Sequence, residues 1–408
     1  MKEYLLVNQN IAETSSLTDT VCPSCRSWGL ETFYEVRDVP VHGVVLLPTR
    51  DEALNYPIGD IKLGFCHSCG FISNVSFDPG KHEYPARYDG TQGFSPTFNA
   101  FHNRLVASLI ERHDLHGKTI IEIGCGQGEF LSLLCEMGHN LGIGFDPAFD
   151  CKSLRSENKN ANFIKDFYSE KFAIYQGDFI CCNMTLEHTH NTADFLSMVR
   201  RTIRNRLDTI VFFQVPDTSR ILKEGAFWEI FYEHCSYFSL GSLARLFQYC
   251  GFDVLDARRA YGDQYLMIEA KPCEKRKNGA LELKNDIKEL KCSVINFNEH
   301  CQKKINYWHY RIKQIKQKKR RPVLWGSYSK SAAFLSTLKI YDEIQYVVDI
   351  NPNRQGSYIA GTGQKIVSPE FLSEFNPDSV IVMNPIYAKE IQNHLKIMNL
   401  KPELMILE

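Results

Sequence analysis

The strongest constraint on this chain is an alternation of short apolar strands with amphipathic helices, run twice along the sequence. In residues 86–272 the strands read as Thr119–Ile123, Leu141–Phe145, 179–182, 209–214 and 266–270, and in residues 322–408 as 323–325, 345–349 and 380–384. A strand that returns through a helix re-enters its sheet as a parallel neighbour. Each block therefore predicts a mostly parallel sheet covered by helices on both faces. The expected fold class is α/β, with two Rossmann-like units in one chain. Between them, Leu283, Ile287, Leu290, Val294 and Phe297 recur at the spacing of one helix face. The end of that segment, 311–321, carries seven basic residues and no acid. It reads either as a solvated helix end that suits the helix dipole or as an attractor of anionic ligands. Pro322 closes the helix.

Residues 1–85 follow another pattern, rich in Cys, Gly and Pro, with short strand-like runs at 43–47 and 61–65. At 408 residues the chain is long enough for two or three domains. Its 47 Lys and Arg against 48 Asp and Glu leave a net charge of −1, without the basic surface that a nucleic-acid partner needs. No apolar run approaches the roughly 18 residues that span a bilayer. The first residues also lack the apolar core of a signal peptide. A soluble, cytosolic protein with neither a nucleic-acid nor a membrane partner is expected.

Of 14 cysteines, ten (Cys125, Cys135, Cys151, Cys181, Cys182, Cys235, Cys250, Cys273, Cys292 and Cys301) lack pair spacing and read as small core hydrophobes. The other four do not. Cys22-Pro-Ser-Cys25 and Cys66-His-Ser-Cys69 are two matched knuckles, set well apart in the chain. Each knuckle aims two thiolates at one point, and together they complete a tetrahedral site for which Zn²⁺ is the default occupant. Four sulfurs leave no open position, so the metal is expected to be structural; His67 and His42 are alternative ligands.

Residues 120–130 form an apolar strand that runs into Gly124, Cys125, Gly126 and Gly128 and then into a helix. Glycines there let the backbone approach a ligand at the helix N-terminus. Asp146 ends the next strand, where a carboxylate can hold both hydroxyls of a ribose. Dinucleotide dehydrogenases share that much. Three further details resemble class I SAM-dependent methyltransferases. Glu122 lies two positions before the first glycine, the spacing is E-x-G-x-G-x-G, and strand 179–182 leads into Asn183-Met-Thr-Leu-Glu-His188. The resemblance implies S-adenosylmethionine (SAM) held by Glu122, Gly124, Cys125, Gly126, Gly128 and Asp146.

After strand 209–214, Glu233 and His234 sit among aromatic residues. Ligands in open α/β sheets lie outside the strand carboxyl ends, and His188 leaves the same edge. Two histidines and a carboxylate there fit proton removal from a substrate, since histidine titrates near neutrality. Capping for His188 and packing for Glu233–His234 are the alternative readings. In the second block, the turn Gly326-Ser-Tyr-Ser-Lys330 can bind phosphate through N–H groups and Lys330, or only pack. Asp349 is a further ribose candidate.

In this order the motifs resemble the bacterial nucleotide-sugar C-methyltransferases over nearly the whole chain. The resemblance extends to the 347–356 run, to Tyr84 and Tyr88, and to Phe94-Ser95. It implies a zinc-binding domain at 1–85, a SAM-dependent methyltransferase domain at 86–272, a helical connector at 273–321 and a Rossmann-like substrate-binding domain at 322–408. It further implies C-methylation of a nucleotide-linked keto-deoxysugar. His234 would remove the proton beside the ketone, with Glu233 and His188 orienting it. Tyr88, Phe231, Lys330 and Asp349 would contact substrate. Two departures stand out. The family's Tyr-His-Glu-His reads Phe231-Tyr-Glu-His234, so one hydroxyl is missing, and Tyr261-Gly-Asp-Gln-Tyr265 replaces a Gly-Gly-Ser-x-Arg run. They keep open an O- or N-methyltransferase on a sugar or glycan precursor, with a SAM- or sugar-binding module as a third reading.

Overall fold

The structure, a computed structural model, describes residues 16–81, 87–150, 160–274 and 286–407; Tyr84, Cys151 and Leu283 lie outside them. An N-terminal antiparallel sheet is made by β1 (Glu31–Pro40), β2 (Ile58–Phe65) and β3 (Ile72–Asn74). The central block supplies β4 (Thr119–Ile123), β5 (Leu141–Phe145), β6 (Ala161–Ile164), β7 (Phe179–Asn183) and β8 (Ile210–Pro216). It continues with β9 (Ser236–Tyr237), β10 (Phe252–Ala260) and β11 (Tyr265–Pro272). The last block supplies β12 (Pro322–Trp325), β13 (Tyr346–Val348), β14 (Lys365–Val367), β15 (Ser379–Val382) and β16 (Glu403–Ile406).

The central sheet has the order β10-β11-β8-β7-β4-β5-β6. The strands from β4 to β8 are parallel, and β11 alone runs against both of its neighbours. This is the doubly wound, Rossmann-like sheet of class I SAM methyltransferases. Its inner strands are buried on both faces, which is why β4 and β5 read as near-continuous apolar runs. The last sheet, β14-β13-β12-β15-β16, is parallel throughout. In both sheets the order reverses beside the first strand, between β4 and β7 and between β12 and β15. Each reversal opens a crevice at the strand carboxyl ends.

A 31-residue helix, Ile287–Gln317, joins the blocks and buries Leu290, Val294, Phe297, Cys301, Ile305, Trp308, Ile312 and Ile315. The same apolar cluster takes in Tyr34 and Ile61 of the N-terminal sheet and Leu324 and Ile381 of the last sheet. One core therefore runs through three regions. The basic helix end meets acids of the last block: Arg311 and Arg320 pair with Glu403, Lys316 with Glu343 and Arg321 with Asp378. These pairs are exposed, and such pairs add little stability. They favour the solvated-end reading over an anion site.

Several expectations are corrected. Residues 43–47 are not a strand; Val45 and Leu47 make isolated bridges to Tyr88 and Tyr358. The segment is apolar because it is wedged between regions: a Cβ at Gly43 would lie 2.5 Å from Ser329 Cα. β9, from the central block, is hydrogen-bonded to β3 and completes the N-terminal sheet as β1-β2-β3-β9. Among the ten unpaired cysteines, Cys292 is exposed and Cys273 half-buried, while the other described ones are buried. Among the described residues, no helix is long and apolar enough to cross a membrane.

Candidate active site

The two crevices face each other across one cavity of about 720 Å³. On one side lie the loops after β4, β5, β7 and β8, and on the other those after β12, β13 and β15.

On the first side, Gly124, Gly126 and Gly128 have left-handed φ values of 71°, 53° and 81°. A Cβ at Gly124 would strike Thr185 Oγ1 at 2.1 Å and one at Gly128 would strike Phe163 at 2.3 Å, whereas one at Gly126 would meet nothing within 4 Å. Gly126 is thus the bare stretch of backbone that a ligand can approach. Gly124, Cys125 and Gly126 line the cavity; Gly128 lies behind the wall. The Asp146 carboxylate braces the loop, accepting from Gly126 N–H at 2.8 Å and from Ala148 N–H at 2.8 Å. Burial raises its pKa above the usual carboxylate value. Glu122 is buried in the wall and accepts from Leu131 N–H at 3.1 Å and Asn183 Nδ2 at 3.0 Å. It ties the first turn of the Glu129–Gly138 helix to the end of β7, and burial pushes its pKa up to about 8.

The second side repeats this bonding. Asp349 at the end of β13 accepts from Ser327 N–H at 2.9 Å and Asn351 N–H at 2.8 Å, and also from Ser327 Oγ at 2.6 Å. Arg354, 1% exposed, donates to Ser327 Oγ at 2.6 Å and Ser327 O at 2.7 Å. Its Nη1 reaches Val44 O at 3.1 Å and Asp89 O at 2.9 Å. Lys330 Nζ crosses the cavity to Glu229 at 2.7 Å, and Arg220 donates to the same carboxylate at 2.6 Å. Burial lowers the Lys330 pKa, with Glu229 opposing the shift. Lys330, expected to be open to a phosphate, is thus already engaged by Glu229.

Between the two sides sit the histidines. His188 closes the short turn Leu186–His188 after β7, and its ring lies 4.9 Å from that of His234, edge to face at 83°. Phe231 packs 4.1 Å from His234 and lines the cavity. Tyr232 does not replace the missing hydroxyl, because its Oη accepts from Asp78 N–H at 2.9 Å, away from the cavity. Glu233 also turns away. It is buried, accepts from Gly43 N–H at 2.8 Å and Ser329 Oγ at 3.0 Å, and is hydrogen-bonded by Tyr88. Tyr88 itself reaches the cavity wall. The carboxyl beside the histidines is instead Glu187, whose oxygen lies within 4.8 Å of ring nitrogens of His188 and His234.

Glu187 was legible only as part of the stretch after β7, and its immediate neighbour His188 was the available signal. Another feature missed in the sequence is the reciprocal amide pair of Gln264 and Asn384, with both bonds at 2.9 Å. With Tyr261 Oη and Tyr387 Oη at 2.8 Å, it makes the 261–265 turn a bridge across the cavity. The departure of the 261–265 run from the family pattern was the available hint; its partner Asn384, in the other sheet's loops, had none.

The cysteine quartet lies outside the cavity. Sγ of Cys22 and Cys69 are 3.8 Å apart and those of Cys25 and Cys66 3.6 Å; all four sulfurs fall within 4.8 Å of one another. Four sulfurs about 2.3 Å from a tetrahedral ion stand about 3.8 Å apart, so the set fits a metal. Arg245 Nε donates to Cys69 O at 3.0 Å and Ala193 N–H to Pro23 O at 3.1 Å, which docks both knuckles on helices of the central block.

Comparison with known proteins agrees with this architecture. A family model described as a methyltransferase domain matches residues 98–257, and one described as a C-methyltransferase C-terminal domain matches residues 277–405. C-methyltransferase NovU of Streptomyces niveus is 26% identical, the match covering 72% of this chain and 73% of NovU. A SAM dependent methyltransferase from Aquifex aeolicus is 16% identical over 48% of this chain and 99% of its own, with a TM-score of 0.36. Magnesium protoporphyrin IX methyltransferase from Synechocystis PCC 6803 with bound SAH is 14% identical over 43% of this chain and 84% of its own, with a TM-score of 0.34. With both halves of the chain matched and the donor-type loop in place, the protein belongs to the bacterial C-methyltransferase family and is a SAM-dependent methyltransferase.

Proposed function

We propose that this C-methyltransferase acts on a nucleotide-linked keto-deoxysugar, and that His234 removes the proton beside the ketone before the methyl group is transferred. The observation that carries the reading is the single cavity, walled by two doubly wound sheet edges, with His188 and His234 between them. One edge suits a nucleoside-type donor and the other a second nucleotide-type ligand, so a nucleotide-linked acceptor follows.

SAM, when bound, supplies an electrophilic methyl group. Glu122, Gly124, Cys125, Gly126, Gly128 and Asp146 would shape and brace its loop. A ketone acidifies the neighbouring C–H, and an imidazole is the base suited to neutral pH. His234 would take that proton on a ring nitrogen, held in place by the Phe231 ring and the edge of His188. Glu233, bound to Gly43 and Ser329, would position the segment rather than touch the proton. Tyr88, Lys330 and Asp349 would line the acceptor side. Zn²⁺ in the Cys22, Cys25, Cys66 and Cys69 cluster would be structural, and a cytosolic location suits thiolate ligands. Four parts, at 1–85, 86–272, 273–321 and 322–408, remain the division we propose.

The test is incubation of the protein with SAM and a panel of nucleotide-linked 4-keto-6-deoxysugars in D₂O, read by mass spectrometry. Gain of one methyl group with deuterium at a carbon beside the ketone is expected. His234→Gln should lose both signals and keep SAM binding. No exchange when SAM is omitted, together with the methyl group found on oxygen or nitrogen, would refute the proton-abstraction mechanism.

A further inference from the structure

We propose that Glu187 is a catalytic residue of this site, whose carboxyl, in its protonated form, donates a hydrogen bond to the carbonyl oxygen of the substrate as that oxygen takes up charge. This deepens the keto-sugar reading above and rests on it.

Glu187 is 1% exposed, yet its residue lines the cavity. Neither of its oxygens has a hydrogen-bond partner among the described residues. A buried carboxyl without donors is costly in its charged form, so the neutral acid is the stable species. Burial pushes its pKa up to about 8, opposed only by the backbone. The titratable groups around it are His188 on its own turn, His234, Cys235 on the segment leading into β9, Cys182 of β7 and Tyr265 of β11. The two thiols and the phenol are themselves held neutral by burial.

The geometry also explains the missing hydroxyl. Phe231 offers no donor, and Tyr232 is engaged with Asp78. Enolate formation needs a donor aimed at the oxygen on which charge develops. An acid kept neutral by an apolar setting can serve as that donor at pH 7. In the step, the C–H bond breaks and its proton passes to His234. The electron pair moves into the new C=C bond, and the former carbonyl electrons settle on oxygen. Glu187 keeps its proton and shares it with that oxygen.

Three measurements test this. In protein labelled with δ-¹³C glutamate, the carboxyl resonance absent from Glu187→Gln should titrate near pH 8. In the D₂O assay with the panel sugar that wild type exchanges best, Glu187→Ala should slow exchange about 100-fold. Glu187→Gln, which keeps a donor, should stay within about tenfold and lack the fall in rate above pH 8 expected of wild type. A resonance titrating near 4.5, or exchange in Glu187→Ala equal to wild type, would overturn the inference while leaving the proposed reaction intact. Wild-type protein that exchanges with no sugar would overturn both. Activity lost on chelation and restored by Mn²⁺, with Glu187→Gln inactive, would make Glu187 a metal ligand and also overturn it.

Discussion

Replacing Arg354 by methionine tests how the acceptor side of the cavity is held. The guanidinium is buried and stacks 4.7 Å over Tyr328. Its loss orphans two carbonyls, those of Ser327 and Asp89, leaves Val44 O with the Asp89 N–H alone, and frees the Ser327 hydroxyl that also serves Asp349. Buried acceptors left without donors cost about 1–3 kcal/mol each. Removing a buried cation returns several kcal/mol of desolvation, so a net loss of about 3 kcal/mol is expected. For a domain of ordinary size that lowers the unfolding temperature by roughly 6–12 °C. Scanning calorimetry gives this value, and isothermal titration gives the SAM affinity. The glycine loop proposed to hold SAM is braced by Asp146 and Glu122, so SAM affinity should hold within about twofold while KM for the proposed sugar substrate rises. Arg354→Lys should recover less than half of the loss, because one ammonium cannot serve Ser327 and the Val44–Asp89 pair at once. An Arg354→Met protein that unfolds within about 2 °C of wild type would refute the argument.

Three further outcomes are expected. Cys22→Ser should lower zinc content from one ion per chain and reduce thermal stability; unchanged metal content by atomic absorption would remove the zinc assignment. Asp146→Ala orphans the Gly126 and Ala148 amides and should weaken SAM binding about tenfold or more by calorimetry; an unaltered affinity would exclude this loop as the donor site. Glu122 carries a folded-state pKa of about 8 against an ordinary 4.5, so its contribution to stability is complete below about pH 4.5 and is lost as pH rises through 8. Urea unfolding should therefore show a smaller loss between pH 6 and pH 9 in Glu122→Gln than in wild type; equal losses would contradict the burial argument.

How much the residues revealed depended on their surroundings. β4 and β5 were legible end to end because parallel strands buried on both faces are apolar runs. β10 was missed because an edge strand reading Phe-Asp-Val-Leu-Asp-Ala-Arg-Arg-Ala has no such run. β1 mixes charged and aromatic residues for the same reason, and β9 is two residues whose pairing exists only against β3. The glycine loop and the cysteine knuckles were legible as local spacings. The tilt of Glu233 toward Ser329 and the Glu229–Lys330 pair join residues far apart in the chain, which no local pattern encodes. Glu187 was hidden for a different reason: a Leu-Glu-His turn does not reveal that its carboxyl will be buried without a donor.

The placement of β9 has a further consequence. Asn74 N–H donates to Cys235 O at 2.9 Å, and Ile72 and Ser73 pair with Tyr237 and Ser236. The backbone next to His234 is therefore clamped by a sheet whose other strands all precede the methyltransferase block and carry the second cysteine knuckle between them. A methyltransferase module excised without that sheet should keep its glycine loop but leave His234, the proposed base, on a loose tether. Exchange of the N-terminal sheet between relatives should therefore disturb the site as much as replacement of the histidine itself.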